Sequence, residues 1–311
     1  MKASRGCPRR YRVGSRDSAL AIAQTRLFIE TIRSAGCTKE DAEFEIIPMK
    51  TSGDALPGRP LARSGGKGLF TKELDRALIS GEIDFAVHSL KDVPTDIMGG
   101  LELAAFSKRE DPRDALVLPA SPNVGPVGAS SLRRRVQLAK IFPDWPLRDI
   151  RGNIVTRLEK LDRGEYGALA LAAAGLKRLG LEGRLSRIFG TDEMLPASGQ
   201  GVIAAIAREG ERYDFLVGAS CEESRLCALA ERAFVRALGA GCSAPIAAFA
   251  EIDAGGVLTL RGLFFDGKKE LSGAERGDKE RAEEIGIKLG KRIGTLQNRI
   301  TDCNFIGNNV R

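Results

Sequence analysis

Ile83-Asp84-Phe85-Ala86-Val87-His88-Ser89 is almost continuously apolar and runs directly into Leu90-Lys91-Asp92-Val93-Pro94. A run of that length without strict alternation is the pattern of a strand covered on both faces by other elements. Upstream, Leu69 to Ile79 reads as a helix with Phe70, Leu74, Ala77 and Leu78 on one face. Ser18 to Ile32 reads as another, and between the two helices Glu43 to Met49 reads as a strand feeding the loop Thr51-Ser52-Gly53-Asp54. This β-α-β rhythm predicts an α/β layer architecture.

The rhythm restarts after Asp111-Pro112-Arg113. Ala115 to Leu118 and Ala168 to Ala173 read as strands, with helices from Leu132 and from Ile154 to Leu161, the second N-capped by Asn153. Val202 to Ala207 is a further strand beyond the loop Leu195 to Gly201. Two α/β lobes facing across a cleft follow, with loops clustered at the carboxyl ends of strands where ligands bind. Ser220 with Glu223 has the spacing of a capping box opening a helix to about Leu238. Strands at Ile246 to Ile252, Val257 to Phe265 and near Leu271, then a helix from Asp278 to Ile293, make a small α+β C-terminal domain. A length of 311 residues suits such a division: residues 11–107 with 202–219 as lobe 1, 108–201 as lobe 2, and 220–311 as the third domain.

Apolar content of 43% and charged content of 29% are those of a soluble globular chain. The formal charge of +7 favours an anionic partner without naming it. Aromatic content of 5%, with Trp145 the single tryptophan, argues against a stacking platform for nucleic acid. His88 is the single histidine, and Cys7, Cys37, Cys221, Cys227, Cys242 and Cys303 contain no C-x-x-C, so no metal centre is expected. The basic start, Met1 to Arg10, is followed by no apolar stretch, and no run of about 18 apolar residues offers a membrane span. A reduced, cytoplasmic protein is expected.

Chemistry concentrates at loop-to-helix junctions, where cations sit beside Gly and Ser: Gly65-Gly66-Lys67-Gly68, Ser130-Ser131-Leu132-Arg133-Arg134, and Arg151-Gly152-Asn153 followed by Arg157. Free N–H groups at helix starts, with cations nearby, suit anions. Consecutive helical residues diverge by about 100°, so Arg133, Arg134 and Arg135 cannot all serve one anion; the first two, nearest the serine cap, are the candidates, and Arg135 is read as solvated. The spacing around Lys67 is not that of a Walker loop. Asp92 beside Lys91 ends a buried strand and suits a catalytic carboxylate; the competing reading is a surface ion pair worth about 0–1 kcal/mol. His88 reads as a packed, hydrogen-bonded core residue. Cys37 and Cys227 read as small buried hydrophobes, whereas Cys242, in Gly239-Ala240-Gly241-Cys242-Ser243-Ala244-Pro245, follows glycines that favour an exposed thiol.

These motifs together resemble the porphobilinogen deaminase (hydroxymethylbilane synthase) family. The ordered matches run from Gly14-Ser15-Arg16-Asp17-Ser18-Ala19-Leu20-Ala21 through Thr51 to Asp54, Gly65 to Phe70, Ala86 to Pro94, Lys108 to Asp114, Ser130 to Arg134, Arg151 to Asn153, Ala174 to Leu179 and Leu195 to Gly201, to Gly241-Cys242. The resemblance implies two periplasmic-binding-protein-like lobes with mixed sheets and a third domain carrying dipyrromethane, a covalent cofactor held by a thioether to Cys242. It implies stepwise joining of four porphobilinogen units, each losing ammonia, and release of the linear tetrapyrrole by hydrolysis. By the same resemblance Asp92 is the catalytic carboxylate. Arg16, Lys91, Arg133, Arg134, Arg151 and Arg157 are contacts for the carboxylates of cofactor and substrate; Ser89, Ser130 and Ser131 are hydrogen-bond donors; Lys67 and Gln200 also line the site. A monomer acting on a small molecule, with neither nucleic acid nor membrane as partner, is implied. Ala129, in place of a common Thr, and Arg63, in place of a common Lys, depart from the pattern. A two-lobed anion-binding protein without catalysis is the rival reading, and it leaves Asp92 and Cys242 unused.

Overall fold

A computed structural model describes residues 9–38, 42–55, 68–121, 123–239 and 244–306. Lys67, Cys242 and Arg63 therefore lie outside the described residues, as does the basic start through Pro8. The first sheet contains β1 (Arg10–Arg16), β2 (Glu43–Met49), β3 (Phe85–Ser89), β4 (Leu101–Phe106) and, arriving late in the chain, β10 (Ile203–Arg208), in the order β2-β1-β3-β10-β4. The second contains β5 (Asp114–Val117), β6 (Val127–Gly128), β7 (Leu147–Arg148), β8 (Ala168–Ala172) and β9 (Arg187–Ile188), in the order β7-β6-β8-β5-β9. Both sheets follow one plan. Three parallel strands are followed by one antiparallel strand, second from the edge, and then the edge strand. The chain crosses between the sheets after β4 and returns before β10, so two segments join the lobes.

Helices α1 (Ala19–Ser34), α2 (Ser52–Ala55), α3 (Lys72–Ile79) and, later, α7 (Asp214–Gly218) belong with the first sheet; α4 (Leu132–Ile141), α5 (Ile154–Asp162) and α6 (Ala173–Arg178) belong with the second. The apolar run that opens β3 packs as its pattern requires. Phe85 and Val87 face a core with Phe28, Ile32 and Phe215, while Ala86 faces another with Leu74, Leu78 and Ile206. Burial on both faces explains the absence of alternation. β8 behaves likewise, with Ala168 and Ala170 on one side and Leu169 and Leu171 on the other.

The third sheet, β11 (Ile246–Ile252), β12 (Val257–Phe265) and β13 (Glu270–Asp278), is an antiparallel meander covered by α8 (Glu222–Ala237) and α9 (Ala282–Ile306). Leu226, Ala230 and Phe234 of α8 and Ile285, Leu289 and Ile293 of α9 fill the space beneath it. Among the described residues no helix is long and apolar enough to cross a membrane.

Ser220 does not cap α8: Cys221 is the N-cap, without a side-chain bond, and the Ser220 Oγ accepts from the Phe106 N–H at 3.1 Å. A hydroxyl near a strand end had a buried donor to satisfy, and that outranks a cap open to water. Cys37 is exposed, whereas Cys227 is buried and burial pushes its thiol up to about 12. His88 is buried, but its Nε2 has no hydrogen-bond partner; burial, with Arg16 nearby, lowers it to about 4, so the ring is neutral. Arg135 is half-buried rather than solvated.

Candidate active site

The parallel strands of the first sheet end on one edge, and that edge carries the acid. β1 and β3 are neighbours in parallel register, Gly14 opposite Ala86. The residues that end them, Arg16 and Ser89, therefore emerge side by side. After Ser89 a single 3-10 turn, Leu90–Asp92, buries Leu90 and leaves the Asp92 side chain 35% exposed. The Arg16 guanidinium lies 3.9 Å from the Asp92 carboxylate and stacks over the Phe70 ring at 4.3 Å. Among the described residues Arg16, not the adjacent Lys91, is the cation that pairs with Asp92. The Ser89 hydroxyl donates to Gln24 Oε1 at 2.9 Å, which fixes its rotamer at the cleft wall.

Across the cleft the second sheet presents its own strand ends. Ser131 caps α4, its Oγ accepting from the Arg134 N–H at 3.5 Å, and Ser130 donates to the Ile150 carbonyl at 2.6 Å. Arg133 and Arg134 are both buried against one carboxylate, that of Asp114 at the start of β5. Arg133 Nη1 reaches Asp114 Oδ2 at 2.7 Å, and Arg134 Nε reaches Oδ1 at 2.9 Å. The two guanidiniums hold the fully buried Asp114 carboxyl well below the usual carboxylate range despite desolvation. Two cations on one acid leave an excess of positive charge, and the Arg133 Nε is buried without a partner.

Gln200 joins the lobes. Its amide nitrogen donates to Asp114 Oδ1 at 3.0 Å and to the Pro112 carbonyl at 2.7 Å; its oxygen accepts from Lys91 Nζ at 3.4 Å. The loop that delivers Gln200 depends on glycine at two places. Gly199 and Gly201 have φ of +71° and +91°, and a Cβ at Gly201 would lie 2.3 Å from the Glu110 carbonyl oxygen.

At the start of α5, Asn153 Oδ1 accepts from the Thr156 N–H at 2.9 Å, as a cap should. Arg157 Nε donates back to the Gly152 carbonyl at 2.7 Å, and Arg151 pairs with Asp149 at 3.1 Å. Electrostatics show that these groups share one space. Lys91 is open to the solvent of the cleft yet ringed by protein; desolvation, then Arg134, hold its ammonium down to about 8 even though Asp92 opposes the shift. Desolvation, then Arg134 and Arg151, push Arg157 down to about 10, with Asp149 and Asp92 opposing. Six cations, Arg16, Lys91, Arg133, Arg134, Arg151 and Arg157, thus converge around three carboxylates, Asp92, Asp114 and Asp149. Such a cleft gains from an anion.

Reading the sequence missed the residues that organise this set. Asp114, Gln24, Arg109 and Glu231 are structural partners rather than exposed cations. Arg109 Nη2 reaches the buried Glu231 of α8 at 2.8 Å, and the other oxygen of Glu231 accepts from the Gly199 N–H at 2.7 Å. The third domain is therefore bonded directly to the loop that carries Gln200. The signal for Asp114 was available: an acid within Asp111-Pro112-Arg113-Asp114, leading an apolar strand, is badly placed for solvent.

Comparison with known proteins agrees with the geometry. Residues 11–214 match the family model described as "Porphobilinogen deaminase, dipyromethane cofactor binding domain", and residues 225–294 match "Porphobilinogen deaminase, C-terminal domain". A porphobilinogen deaminase of Ruminiclostridium josui is 48% identical over 291 residues, covering 92% of this chain and 98% of that protein. One from Acetivibrio thermocellus is 47% identical over 285 residues, covering 90% and 96% respectively. One from Thermus thermophilus is 42% identical, covering 90% and 94%. With both family models matched in order and the relatives covered nearly end to end, the chain belongs to the porphobilinogen deaminase family.

Proposed function

We propose that this chain is a hydroxymethylbilane synthase: it condenses four porphobilinogen units head to tail on a covalently bound dipyrromethane, releases ammonia at each step, and frees the linear tetrapyrrole by hydrolysis. The observation that carries the reading is the cation excess facing Asp92, where desolvation first and neighbouring guanidiniums second push both Lys91 and Arg157 down. Each pyrrole brings acetate and propionate, so a growing chain concentrates negative charge in a confined space. A pre-organised set of guanidinium and ammonium groups offsets that repulsion without reorganising at each addition.

The residues present suit the cofactor. Lys91 and Arg16 are placed to take carboxylates from the lobe 1 side, and Arg133, Arg134, Arg151 and Arg157 from the lobe 2 side; the unpartnered Nε of buried Arg133 is a donor in want of an acceptor. The dipyrromethane, when bound, supplies the primer end to which each new unit is joined, with Cys242 as its proposed attachment. Asp92 stabilises the positive charge that develops on the substrate pyrrole as ammonia departs, and it takes or returns a proton there. Ser89, Ser130, Ser131 and Gln200 hold the walls of the cleft, by the bonds described above, so that the charged groups keep their places. Lys67 is assigned a carboxylate contact from the lobe 1 side by family likeness. We propose the same domain division, 11–107 with 202–219, 108–201 and 220–311; that each part carries one of the three sheets supports it.

Incubating the purified chain with porphobilinogen tests the proposal. The expected products are a linear tetrapyrrole and four ammonia molecules per tetrapyrrole. Binding of porphobilinogen without ammonia release would instead favour a two-lobed binding protein.

A further inference from the structure

We infer that Arg232, in the third domain, is a positioning residue for the Asp92 carboxylate. The inference rests on the proposal that Asp92 is catalytic. Arg232 is 6% exposed and projects from α8 onto the chain segment that leaves Asp92. Its Nη1 donates to the Val93 carbonyl at 3.1 Å; its Nη2 donates to the Pro94 carbonyl at 2.6 Å and to the Thr95 carbonyl at 3.1 Å. Arg236, one turn later on the same helix face, donates to the Thr95 carbonyl at 3.0 Å and pairs with Asp96 at 3.5 Å. Three successive carbonyls of an irregular segment are thus gathered by one planar fork. Lysine, a point charge with no fixed fork, cannot span them.

The consequence reaches Asp92 through the backbone. The turn Leu90–Asp92 is tied at its front by the Leu90 N–H to the Val202 carbonyl at 3.0 Å, and at its back by the Val93 N–H to the Leu90 carbonyl at 3.0 Å. Val93, the residue that closes the turn, is the first of the three held by Arg232. Asp92 itself is partly exposed and meets Arg16 only at 3.9 Å, so its side chain gains little placement from packing. The carboxylate is aimed chiefly by its main chain, and the main chain is held from the third domain. Glu231, the preceding residue on α8, bonds the loop of Gly199, so the same helix turn fixes both Asp92 and the segment carrying Gln200.

The test uses the full-length, cofactor-loaded chain. Arg232→Met and Arg232→Lys are made alone and on an Asp92→Glu background, and kcat, KM and the covalent adduct by intact mass are measured. A misplacement of about 1 Å costs on the order of 10²-fold in rate, so both single variants should lose about 10- to 100-fold in kcat. KM for porphobilinogen should stay within about twofold and the adduct should remain complete, with kcat taken per folded molecule as counted by circular dichroism so that partial unfolding is not read as lost turnover. On Asp92→Glu, where the carboxylate is already displaced, Arg232→Lys should cost much less than it does in the wild type. Wild-type kcat in Arg232→Lys, or an equal fractional loss on both backgrounds, overturns the inference and leaves the role of Asp92 intact. Full activity of Asp92→Glu and of Asp92→Asn removes Asp92 from catalysis and the inference with it. Should Arg232→Met fail to fold, Arg232→Lys alone decides, because it keeps the buried charge and loses only the span of carbonyls.

Discussion

Asp92 and Lys91 are sequence neighbours with opposite duties, and each makes its own prediction. Asp92 faces Arg16 at the strand edge and is the acid nearest the reacting pyrrole in the proposed mechanism. Asp92→Asn keeps the size and the neighbours, so the chain should fold with unchanged thermal stability while turnover falls by about 10²-fold or more, as expected for loss of a positioned acid–base group. Steady-state ammonia release checks it. Lys91, held down to about 8, is half-discharged near that pH in the free protein. A polyanion favours the charged form and so raises the group on binding. Below about pH 8 Lys91 already carries its proton and affinity is complete; above it, binding must draw a proton from solution. KM for porphobilinogen should therefore rise as pH increases past about 8, and Lys91→Met should raise KM overall and flatten that rise. A wild-type profile retained in Lys91→Met would show that another group titrates.

The elements most legible in sequence were those whose periodicity comes from burial. β2, β11 and β12 have the expected limits, and the N-caps of α4 and α5 fall where the serine and asparagine spacing puts them. β1 is illegible because Arg10, Arg12 and Arg16 mask an interior strand buried at Val13, Gly14 and Ser15; Arg12 pairs with Asp84, distant in sequence, at 3.0 Å. The sequence around Leu271 predicts only a short strand, whereas β13 runs Glu270–Asp278, since its charged outer face hides its pairing with β12. The cation pair on α4 was visible, but its organiser was not, because Asp114 meets Arg133 and Arg134 only when β5 inserts beside β8. That pairing makes a stability prediction. Asp114→Asn leaves two buried guanidiniums facing a neutral amide and should cost about 3–5 kcal/mol, measured by urea unfolding. In the wild type the contribution is complete above the ordinary carboxylate range. It is lost only as the pH falls below that range toward the lower native value of Asp114, because there the unfolded chain binds the proton first.

At the scale of the whole molecule, the chain places a cationic cleft between two lobes that are joined by two crossings and steadied by a third domain. The contacts made by that domain differ in kind. Toward the second sheet it offers exposed pairs, Lys140 with Glu270 at 2.7 Å and Arg261 with Asp192, each worth about 0–1 kcal/mol. Toward the crossing at 199–201 it offers the buried Glu231, bonded to Arg109 and to the Gly199 N–H. The crossing should therefore tolerate loss of the exposed pairs and not a distortion of its backbone. Glu270→Gln should change the melting temperature little, while Gly201→Ala, which puts a methyl against the Glu110 carbonyl at positive φ, should lower it by several degrees and impair turnover. The two lobes and their facing loops followed from the repeated strand–helix rhythm. The bond between the third domain and the crossing did not, since nothing local to Glu231 marks an acid on a helix as buried.

The proposed chemistry depends on a covalent primer held among neutralising cations. Its most direct test is the intact mass of the purified chain, measured alongside porphobilinogen turnover for the wild type and for Cys242→Ala. The wild type should exceed its sequence mass by one dipyrromethane and be active, and the variant should sit at its sequence mass and be inert. A wild-type chain at its bare sequence mass that still forms linear tetrapyrrole would contradict it.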